Sequence, residues 1–201
     1  MSTRTVTVTR TTRETSIHLS LDVDGAGKTT LKTGIGFLDH LLDTLGRHAR
    51  FDLKLTCEGD LQVDDHHTAE DCALALGEAL DRALGERRGV NRFGWALAPL
   101  DEALARAVVD LSGRPFSDVA LGLQREVIGG LACENVGHFL RSLATAGRMT
   151  LHVDVLKGEN DHHRAEAAFK ATALALGQAV GLSGFADVPS TKGTLGAASR
   201  E

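Results

Sequence analysis

Histidine and glutamate recur in this sequence at a spacing that suits a metal ion. The segment His66–Glu70 (HHTAE) returns as His162–Glu166 (HHRAE), 96 residues further along the chain. On a helix, one imidazole of each pair lies within a turn of the glutamate and can reach the same ion, whereas the other imidazole points elsewhere. Imidazole and carboxylate ligands without thiolate disfavour a structural zinc site and allow Mn, Fe, Co, Ni or catalytic Zn.

Two more histidines belong to the same repeat. His40 and His138 are 98 residues apart, and apolar residues surround them at matching positions. The repeat therefore supplies six imidazoles and two carboxylates: His40, His66, His67, Glu70, His138, His162, His163 and Glu166. Divided between two ions, they give three histidines and one glutamate to each, with positions left for water or substrate. Because such a cluster is costly to bury without a cation, metal binding is favoured over solvated histidines at helix starts.

Other polar residues near these motifs are given subordinate roles. Acids just before the histidine pairs are expected to accept hydrogen bonds from ring N–H groups. These acids are Asp64, Asp65 and Asp161. The histidines without a repeated partner are interpreted as structural or surface residues: His18, His48 and His152.

The repeat continues through the surrounding elements and predicts the fold. Apolar residues at helical spacing predict helices over about 36–48, 66–86, 135–146 and 162–180. Alternating segments predict strands over about 5–9, 16–23, 29–33, 51–57, 105–111, 117–123 and 149–155. Because helices and strands mix without strict alternation, we predict an internally duplicated α+β fold. Each of its two pseudo-symmetric halves has a mixed sheet covered on one face by helices.

No Pro- or Ser-rich linker separates the two repeats. We therefore expect a single domain over 1–201, in which repeats of about 4–90 and 91–185 share one core. A C-terminal tail, 186–201, follows and is expected to be ordered by a ligand or by a neighbouring subunit.

Two glycine-containing segments are predicted to be hairpin turns between neighbouring strands. They are Asp24–Gly27 and Ser112–Pro115. The first resembles the end of a phosphate-binding P-loop, but Asp22 stands where that loop needs a glycine. The following residues also alternate as a strand does, whereas a P-loop leads into a helix.

Composition excludes several classes of protein. The chain has 201 residues and a formal net charge of −5, with 4% aromatic residues and no tyrosine, which makes it a poor nucleic-acid binder. No apolar run approaches the roughly 18 residues that span a membrane. The three cysteines are scattered and fit a reducing compartment. We expect a cytoplasmic protein with neither a nucleic-acid nor a membrane partner.

Five motifs together resemble those of the imidazoleglycerol-phosphate dehydratase family, over about residues 4–195. They are Gly34–His40, Asp64–Asp71, Leu111–Pro115, Glu159–Glu166 and Ser190–Gly193. The resemblance implies a metal-dependent lyase of histidine biosynthesis with the duplicated α+β fold. It also implies two Mn(II) ions per active site and a homo-oligomer of 24 subunits, with active sites at subunit contacts.

The resemblance also assigns roles to particular residues. The eight histidines and glutamates given above match the family's metal ligands, and each ion should take one histidine from each pair, in an order that the sequence leaves open. Glu14 matches the acid–base residue at the substrate site. The residues that match the family's phosphate-binding positions are Arg92, Arg114, Lys170, Ser190 and Lys192.

The implied reaction turns D-erythro-imidazoleglycerol phosphate into imidazole acetol phosphate. The proton to be lost sits on a carbon without a neighbouring carbonyl, so a base alone would act slowly. A metal-bound ring can ionise to imidazolate and expel the adjacent hydroxyl, giving a diazafulvene, and Glu14 can then remove the acidified proton. The phosphate supplies remote binding energy.

Two other functions remain open at this point. A dinuclear metallohydrolase could use the same ions to activate water against a phosphate ester, and it would release inorganic phosphate. A non-catalytic assembly could use the ions only to join subunits. The first differs in its product, and the second would be indifferent to the loss of Glu14.

Overall fold

The computed structural model describes residues 4–195, in which ten strands and four helices follow one another. The first half comprises β1 (Thr5–Thr11), β2 (Thr15–Asp22), β3 (Thr29–Lys32), α1 (Gly36–Ala49), β4 (Asp52–Gly59) and α2 (His66–Leu84). The second comprises β5 (Phe93–Leu100), β6 (Ala103–Asp110), β7 (Phe116–Ala120), β8 (Val127–Ile128), β9 (Leu131–Ala132), α3 (Cys133–Ala146), β10 (Thr150–Lys157) and α4 (Asp161–Val180). Residues 196–201 of the predicted tail lie outside the described residues.

The two halves have the same topology. One sheet has the order β1-β2-β4-β3 and the other the order β5-β6-β10-β7, and only the last pair of each is parallel. Corresponding helices even end alike, because Arg50 after α1 and Arg148 after α3 both adopt positive φ, 63° and 49°. The second half adds the short hairpin β8–β9. The prediction of a duplicated α+β fold with two mixed sheets is confirmed.

Alternation of side chains explains which face of each sheet is covered. In β2, Ile17, Leu19 and Leu21 are buried whereas the residues between them are not. The helices cover this face, since α2 packs on β1 and β2 while α4 packs on β5 and β6. Helices from different halves then meet between the sheets, α1 with α4 and α2 with α3. One hydrophobic core thereby includes residues of both halves.

The prediction of two hairpin turns is wrong. Asp24–Gly27 joins β2 to β3, and Ser112–Pro115 joins β6 to β7, but neither pair of strands is adjacent. β4 and β10 occupy the places between them, because these strands carry fully buried apolar residues and belong in the sheet interior. The long hairpins are instead β1–β2 and β5–β6, and they present Glu14 and Glu102 at their turns.

Besides the two-residue strands β8 and β9, one full-length strand is absent from the sequence-based prediction, namely β5 (Phe93–Leu100). Its exposed positions are also apolar, so the alternation that marks the other strands is missing. Phe93, Trp95 and Leu97 leave about half or more of their surface exposed on the outer face of the second sheet. The outer face of the first sheet carries mainly Thr, Ser and Lys at the corresponding places.

None of the four helices within residues 4–195 has the length and apolar character that crossing a membrane requires.

The contact between α2 and α3 depends on a glycine. A Cβ atom at Gly77 would lie 2.7 Å from the Leu143 carbonyl oxygen and from the Gly147 nitrogen, which are backbone atoms that cannot move aside. A Cβ atom at Gly137 would meet only the flexible end of Arg141, at 3.2 Å. An alanine at 77 would therefore collide with backbone atoms, whereas an alanine at 137 would need only a small shift of the Arg141 side chain.

We predict that Gly77→Ala destabilises the fold by about 1–3 kcal/mol, because overpacking separates α2 from α3. The matched change Gly137→Ala should be neutral or stabilise the fold by up to about 1 kcal/mol, as alanine favours a helix over glycine. Denaturant unfolding of both variants measures the difference. Equal stability of the two variants would contradict this account of the helix contact.

Candidate metal centre

The first cluster of potential ligands forms where α1 meets α4. His40 projects from α1, and His162 and Glu166 project from the first turns of α4. The Nε2 atom of His40 lies 2.8 Å from Oε2 of Glu166, and Nε2 of His162 lies 3.3 Å from the same oxygen. The two imidazole centroids are 5.4 Å apart. Three donors from two helices thus converge on one point.

The second cluster forms where α2 meets α3. His66 and Glu70 project from α2, and His138 projects from α3. The Nε2 atom of His138 lies 3.0 Å from Oε1 of Glu70, and Nε2 of His66 lies 3.9 Å from Oε2. The two imidazole centroids are 4.8 Å apart. As in the first cluster, the Nε2 atoms are directed at the carboxylate.

The duplication relates the two clusters to each other. Each cluster takes a histidine and its glutamate from the longer helix of one half, and a second histidine from the shorter helix of the other half. In both clusters the potential ligand atoms lie within 4.8 Å of one another. Six of the eight predicted ligands are therefore brought together within the chain.

The surroundings of the two clusters differ. Lys170 Nζ lies 2.8 Å from Oε1 of Glu166, whereas Leu74 stands at the corresponding position of α2. Burial of the Glu166 carboxyl acts to raise its pKa, but hydrogen bonds from Lys170 and His40 outweigh burial and lower the pKa to about 2. Glu166 is consequently a fully ionised anion at neutral pH.

The histidines of the clusters are held by different neighbours. His66 Nδ1 donates a hydrogen bond to Oδ1 of Asn135, at 3.0 Å, which leaves its Nε2 free to bind an ion. In the first cluster the corresponding position is taken by Phe37, whose ring centroid lies 5.0 Å from that of His162.

The remaining two predicted ligands, His67 and His163, lie outside these clusters. His67 Nδ1 is 3.0 Å from Oδ2 of Asp60, and its Nε2 is 3.6 Å from Oε1 of Glu14. His163 Nδ1 is 2.7 Å from Oε2 of Glu102. Within one chain, each cluster therefore contains a histidine from only one of the two His-His pairs. That each ion takes one histidine from each pair stays a prediction.

These contacts change the acid–base properties of the two outer histidines. The hydrogen bond to Asp60, helped by the charge of Glu14, raises the pKa of His67. The hydrogen bond to Glu102 raises the pKa of His163. Hydrogen bonds from the Asn160 N–H, from His163 and from the Glu159 N–H in turn lower the pKa of Glu102 to about 2.

The prediction that aspartates next to the pairs hold the imidazole rings is wrong. Asp64 accepts a hydrogen bond from the His66 backbone N–H, Asp65 from that of Ala132, and Asp161 from those of residues 124 and 125. All three aspartates thus accept hydrogen bonds from backbone N–H groups and not from the imidazole rings. Asp60, Glu102 and Asn135, which sequence reasoning missed, hold the rings instead. Only Glu102 left a signal, since it precedes β6 as Glu14 precedes β2.

The donor sets fit a divalent ion of intermediate hardness. Each cluster offers two imidazole nitrogens and a carboxylate. The rings of His67 and His163 follow on the same helices, with centroids 5.9 Å from that of His66 and 6.2 Å from that of His162. Such sets suit Mn, Fe, Co, Ni or Zn ions, and a cation would relieve the cost of gathering these groups. Both clusters are partly exposed, so a ligand could reach them.

The predicted phosphate-binding residues lie in two places. Lys170 is beside the first cluster, one turn after Glu166. Arg92 is instead bound to Asp110 through two hydrogen bonds of 2.7 and 3.1 Å, and its backbone N–H donates to Ala179 near the end of α4. Since Ala179 is 13 residues beyond Glu166, Arg92 is about 20 Å along the helix from the cluster.

Arg92 contacts the tail segment that carries two further phosphate-binding candidates, Ser190 and Lys192. The Arg92 Nη1 atom donates to the Pro189 carbonyl at 2.8 Å, which brings the described part of the tail to this end of α4. In the tail, the Lys192 backbone N–H donates to Oγ of Ser190 at 3.2 Å. Arg114 is exposed in the loop that follows β6. Within one chain, Arg92 and the tail segment that it contacts thus lie at the far end of α4 from the first cluster.

Fold and site together define a duplicated α+β protein with two symmetry-related His/Glu clusters, each assembled from both halves. The sequence profile described as imidazoleglycerol-phosphate dehydratase matches residues 33–176. The chain belongs to the imidazoleglycerol-phosphate dehydratase family.

Individual relatives agree with this assignment. The imidazoleglycerol-phosphate dehydratase of Saccharomyces cerevisiae is 61% identical over 163 residues, covering 81% of this chain and 74% of that protein. That of Pyricularia oryzae is 51% identical, covering 96% and 98%. That of Phytophthora nicotianae is 57% identical, but the chain spans only 42% of its length.

Solved structures show the same fold. The chain superposes on imidazoleglycerol-phosphate dehydratase from Staphylococcus aureus with a TM-score of 0.80 at 34% identity, covering 89% of this chain and 99% of that one. The enzyme from Pyrococcus furiosus, solved in complex with (S)-C348, gives a TM-score of 0.80 at 37% identity, covering 94% and 100%.

We predict that the two clusters bind divalent ions separately. His40→Ala should remove one bound divalent ion per chain, and His138→Ala, its counterpart in the other half, should remove the other, because each deletes one of three ligands. Metal content per chain after dialysis measures both effects. His18→Ala, on the exposed face of β2, is the control and should retain both ions. Loss of both ions from either single variant would contradict the independence of the clusters.

Proposed function

We propose that this chain catalyses the dehydration of D-erythro-imidazoleglycerol phosphate to imidazole acetol phosphate, the lyase step of histidine biosynthesis named by its relatives. Membership of the family supports the reaction. The observation that carries the metal-dependent form of the proposal is the pair of His/Glu clusters, each drawn from both halves of the chain.

The proposed cofactor is two Mn(II) ions per active site. When bound, they would supply Lewis acidity to the substrate's imidazole ring and so make loss of the hydroxyl and of the neighbouring proton feasible. The chain's own residues would hold the ions with His40, His162 and Glu166 in one cluster and with their counterparts in the other. His67 and His163, which lie outside the two clusters, are proposed to complete clusters across subunit contacts.

Glu14 is proposed to be the acid–base residue. Its backbone is fixed, because its N–H donates to Oγ1 of Thr12 at 3.1 Å and its carbonyl accepts from Asp60 at 3.0 Å. Its carboxylate is about half exposed and, within residues 4–195, has only the 3.6 Å approach to His67 Nε2. A fixed backbone with an uncommitted carboxylate suits a group that exchanges protons with a substrate.

The phosphate-binding role is proposed for Arg92, Arg114, Lys170, Ser190 and Lys192. Because Arg92 lies about 20 Å along α4 from Glu166 and contacts the tail that carries Ser190 and Lys192, we propose that these residues serve a site completed by a neighbouring subunit. The exposed apolar side chains on β5 support assembly, since such patches mark interaction surfaces. A shell of 24 subunits and a cytoplasmic location remain part of this proposal.

Turnover after metal removal tests the proposed function. We expect chelated protein to be inactive on imidazoleglycerol phosphate and Mn(II) to restore formation of the ketone product, because the ions supply most of the rate acceleration. Product analysis should detect imidazole acetol phosphate. Release of inorganic phosphate instead would identify a metallohydrolase and refute the dehydratase.

Replacing Glu14 separates catalysis from metal binding. Glu14→Gln should lower kcat by about 10²–10⁴-fold, the range for loss of a general acid–base group, while both ions remain bound. Steady-state kinetics and metal analysis on the same sample measure the two properties. Glu58→Gln, on the exposed face of β4, controls for loss of a carboxylate. An unchanged kcat would exclude the acid–base role and favour a non-catalytic metal assembly.

A further inference from the structure

We propose that Glu102 is the positioning residue of His163, and that it is the duplicated counterpart of Glu14 committed to a different task. In this proposal Glu102 fixes the tautomer of His163 so that the Nε2 atom is available to a metal ion. The inference rests on the proposed function in one respect, namely that His163 binds an ion.

The contacts of Glu102 determine the tautomer of His163. Oε2 of Glu102 lies 2.7 Å from Nδ1 of His163. A carboxylate that accepts this hydrogen bond keeps the proton of the neutral imidazole on Nδ1, which leaves the lone pair on Nε2. Oε1 is occupied as well, because it accepts from the backbone N–H groups of Asn160 at 2.9 Å and Glu159 at 3.1 Å. Both oxygens are therefore committed.

Glu14 occupies the equivalent position in the first half. It immediately precedes β2 as Glu102 immediately precedes β6, in both cases at the turn of a hairpin. Each glutamate lies next to the second histidine of a pair, but the geometry differs. Glu14 approaches Nε2 of His67 at 3.6 Å, whereas Glu102 binds Nδ1 of His163. Glu14 thus lies on the Nε2 side of its histidine ring, whereas Glu102 lies on the Nδ1 side of the corresponding ring.

A third residue explains the divergence. In the first half, Asp60 binds His67 Nδ1 at 3.0 Å and so fixes the ring without Glu14. The corresponding residue after β10 is Gly158, which has a φ of 145°. A Cβ atom there would lie 2.8 Å from the Arg164 side chain and 3.1 Å from Cβ of Ala103. An aspartate does not fit, and Glu102 takes over its task.

The consequence is a division of labour between duplicated glutamates. Asp60 fixes one histidine and leaves Glu14 free for proton transfer, while Glu102 fixes the other and is unavailable for it. Loss of a residue that orients a ligand typically weakens metal binding about 10–100-fold. We therefore expect Glu102 to affect the affinity of one ion without touching it.

The substitution Glu102→Gln tests this role with little change of shape. The amide oxygen can still accept from the two backbone N–H groups, but the NH₂ group then faces Nδ1 and favours a proton on Nε2. We expect one of the two Mn(II) ions per chain to bind about 10–100-fold more weakly, and the other to be unchanged. Titration of the assembled protein, followed by the electron paramagnetic resonance signal of free Mn(II), measures both affinities. Glu159→Gln, an exposed carboxylate-to-amide change in the neighbouring loop, is the matched control and should bind like the wild type.

A double-mutant cycle separates positioning from a purely structural role. If Glu102 acts through His163, Glu102→Gln should have no further effect on Mn(II) affinity in a His163→Ala background. An effect of the same size in both backgrounds would assign the loss to the backbone bonds and overturn the proposal. Should Glu102→Gln fail to fold, Glu102→Asp, which shortens the reach to His163, decides in its place by the same titration.

The failure of this inference differs from the failure of the proposed function. Wild-type Mn(II) affinities in the folded Glu102 variant, together with normal formation of the ketone by the wild-type protein, would refute only the positioning role. Weakened Mn(II) binding by the variant, with no dehydration by the wild type, would refute only the proposed reaction.

Discussion

Packing between helices of opposite halves is the constraint on which the site depends. Neither half contains a complete cluster, because each glutamate shares its cluster with a histidine from the other half. The contacts of α1 with α4 and of α2 with α3 bring these groups within hydrogen-bonding distance. Close approach at Gly77 is part of that arrangement. The apolar core therefore sets the ligand geometry, and the ligands themselves contribute little to it in the absence of a cation.

The two clusters are equivalent in origin and unequal in environment. A lysine forms an ion pair with Glu166, whereas the corresponding position one turn after Glu70 holds a leucine. An asparagine fixes His66, whereas a phenylalanine packs on His162. Because a lysine ammonium close to a carboxylate reduces its attraction for another cation, equal ligands need not give equal metal sites.

Most of the ligand residues and most of the fold could be predicted from the sequence, because both leave regular patterns along the chain. Contacts between distant elements leave no such pattern and could not be predicted. The HHxxE motifs and the offset between their copies identified the ligands, since helical spacing places i and i+4 on one face. Alternation located most strands but missed the two-residue strands β8 and β9 and also β5, whose exposed face is apolar. Turn residues suggested hairpins where β4 and β10 intervene. Contacts such as Glu102 with His163 join residues 61 apart on different elements, and no local pattern encodes them.

The sharing of each cluster between halves also bears on how such a chain could arise. A polypeptide of half this length would hold an incomplete set of ligands, yet two copies related by a twofold axis would complete both sets at once, in an isologous contact. Fusion of the copies would preserve that geometry while removing the requirement that symmetric positions carry identical residues. The two halves carry different residues at one equivalent position, aspartate at 60 and glycine at 158, and a homodimer of identical chains could not have acquired such a difference.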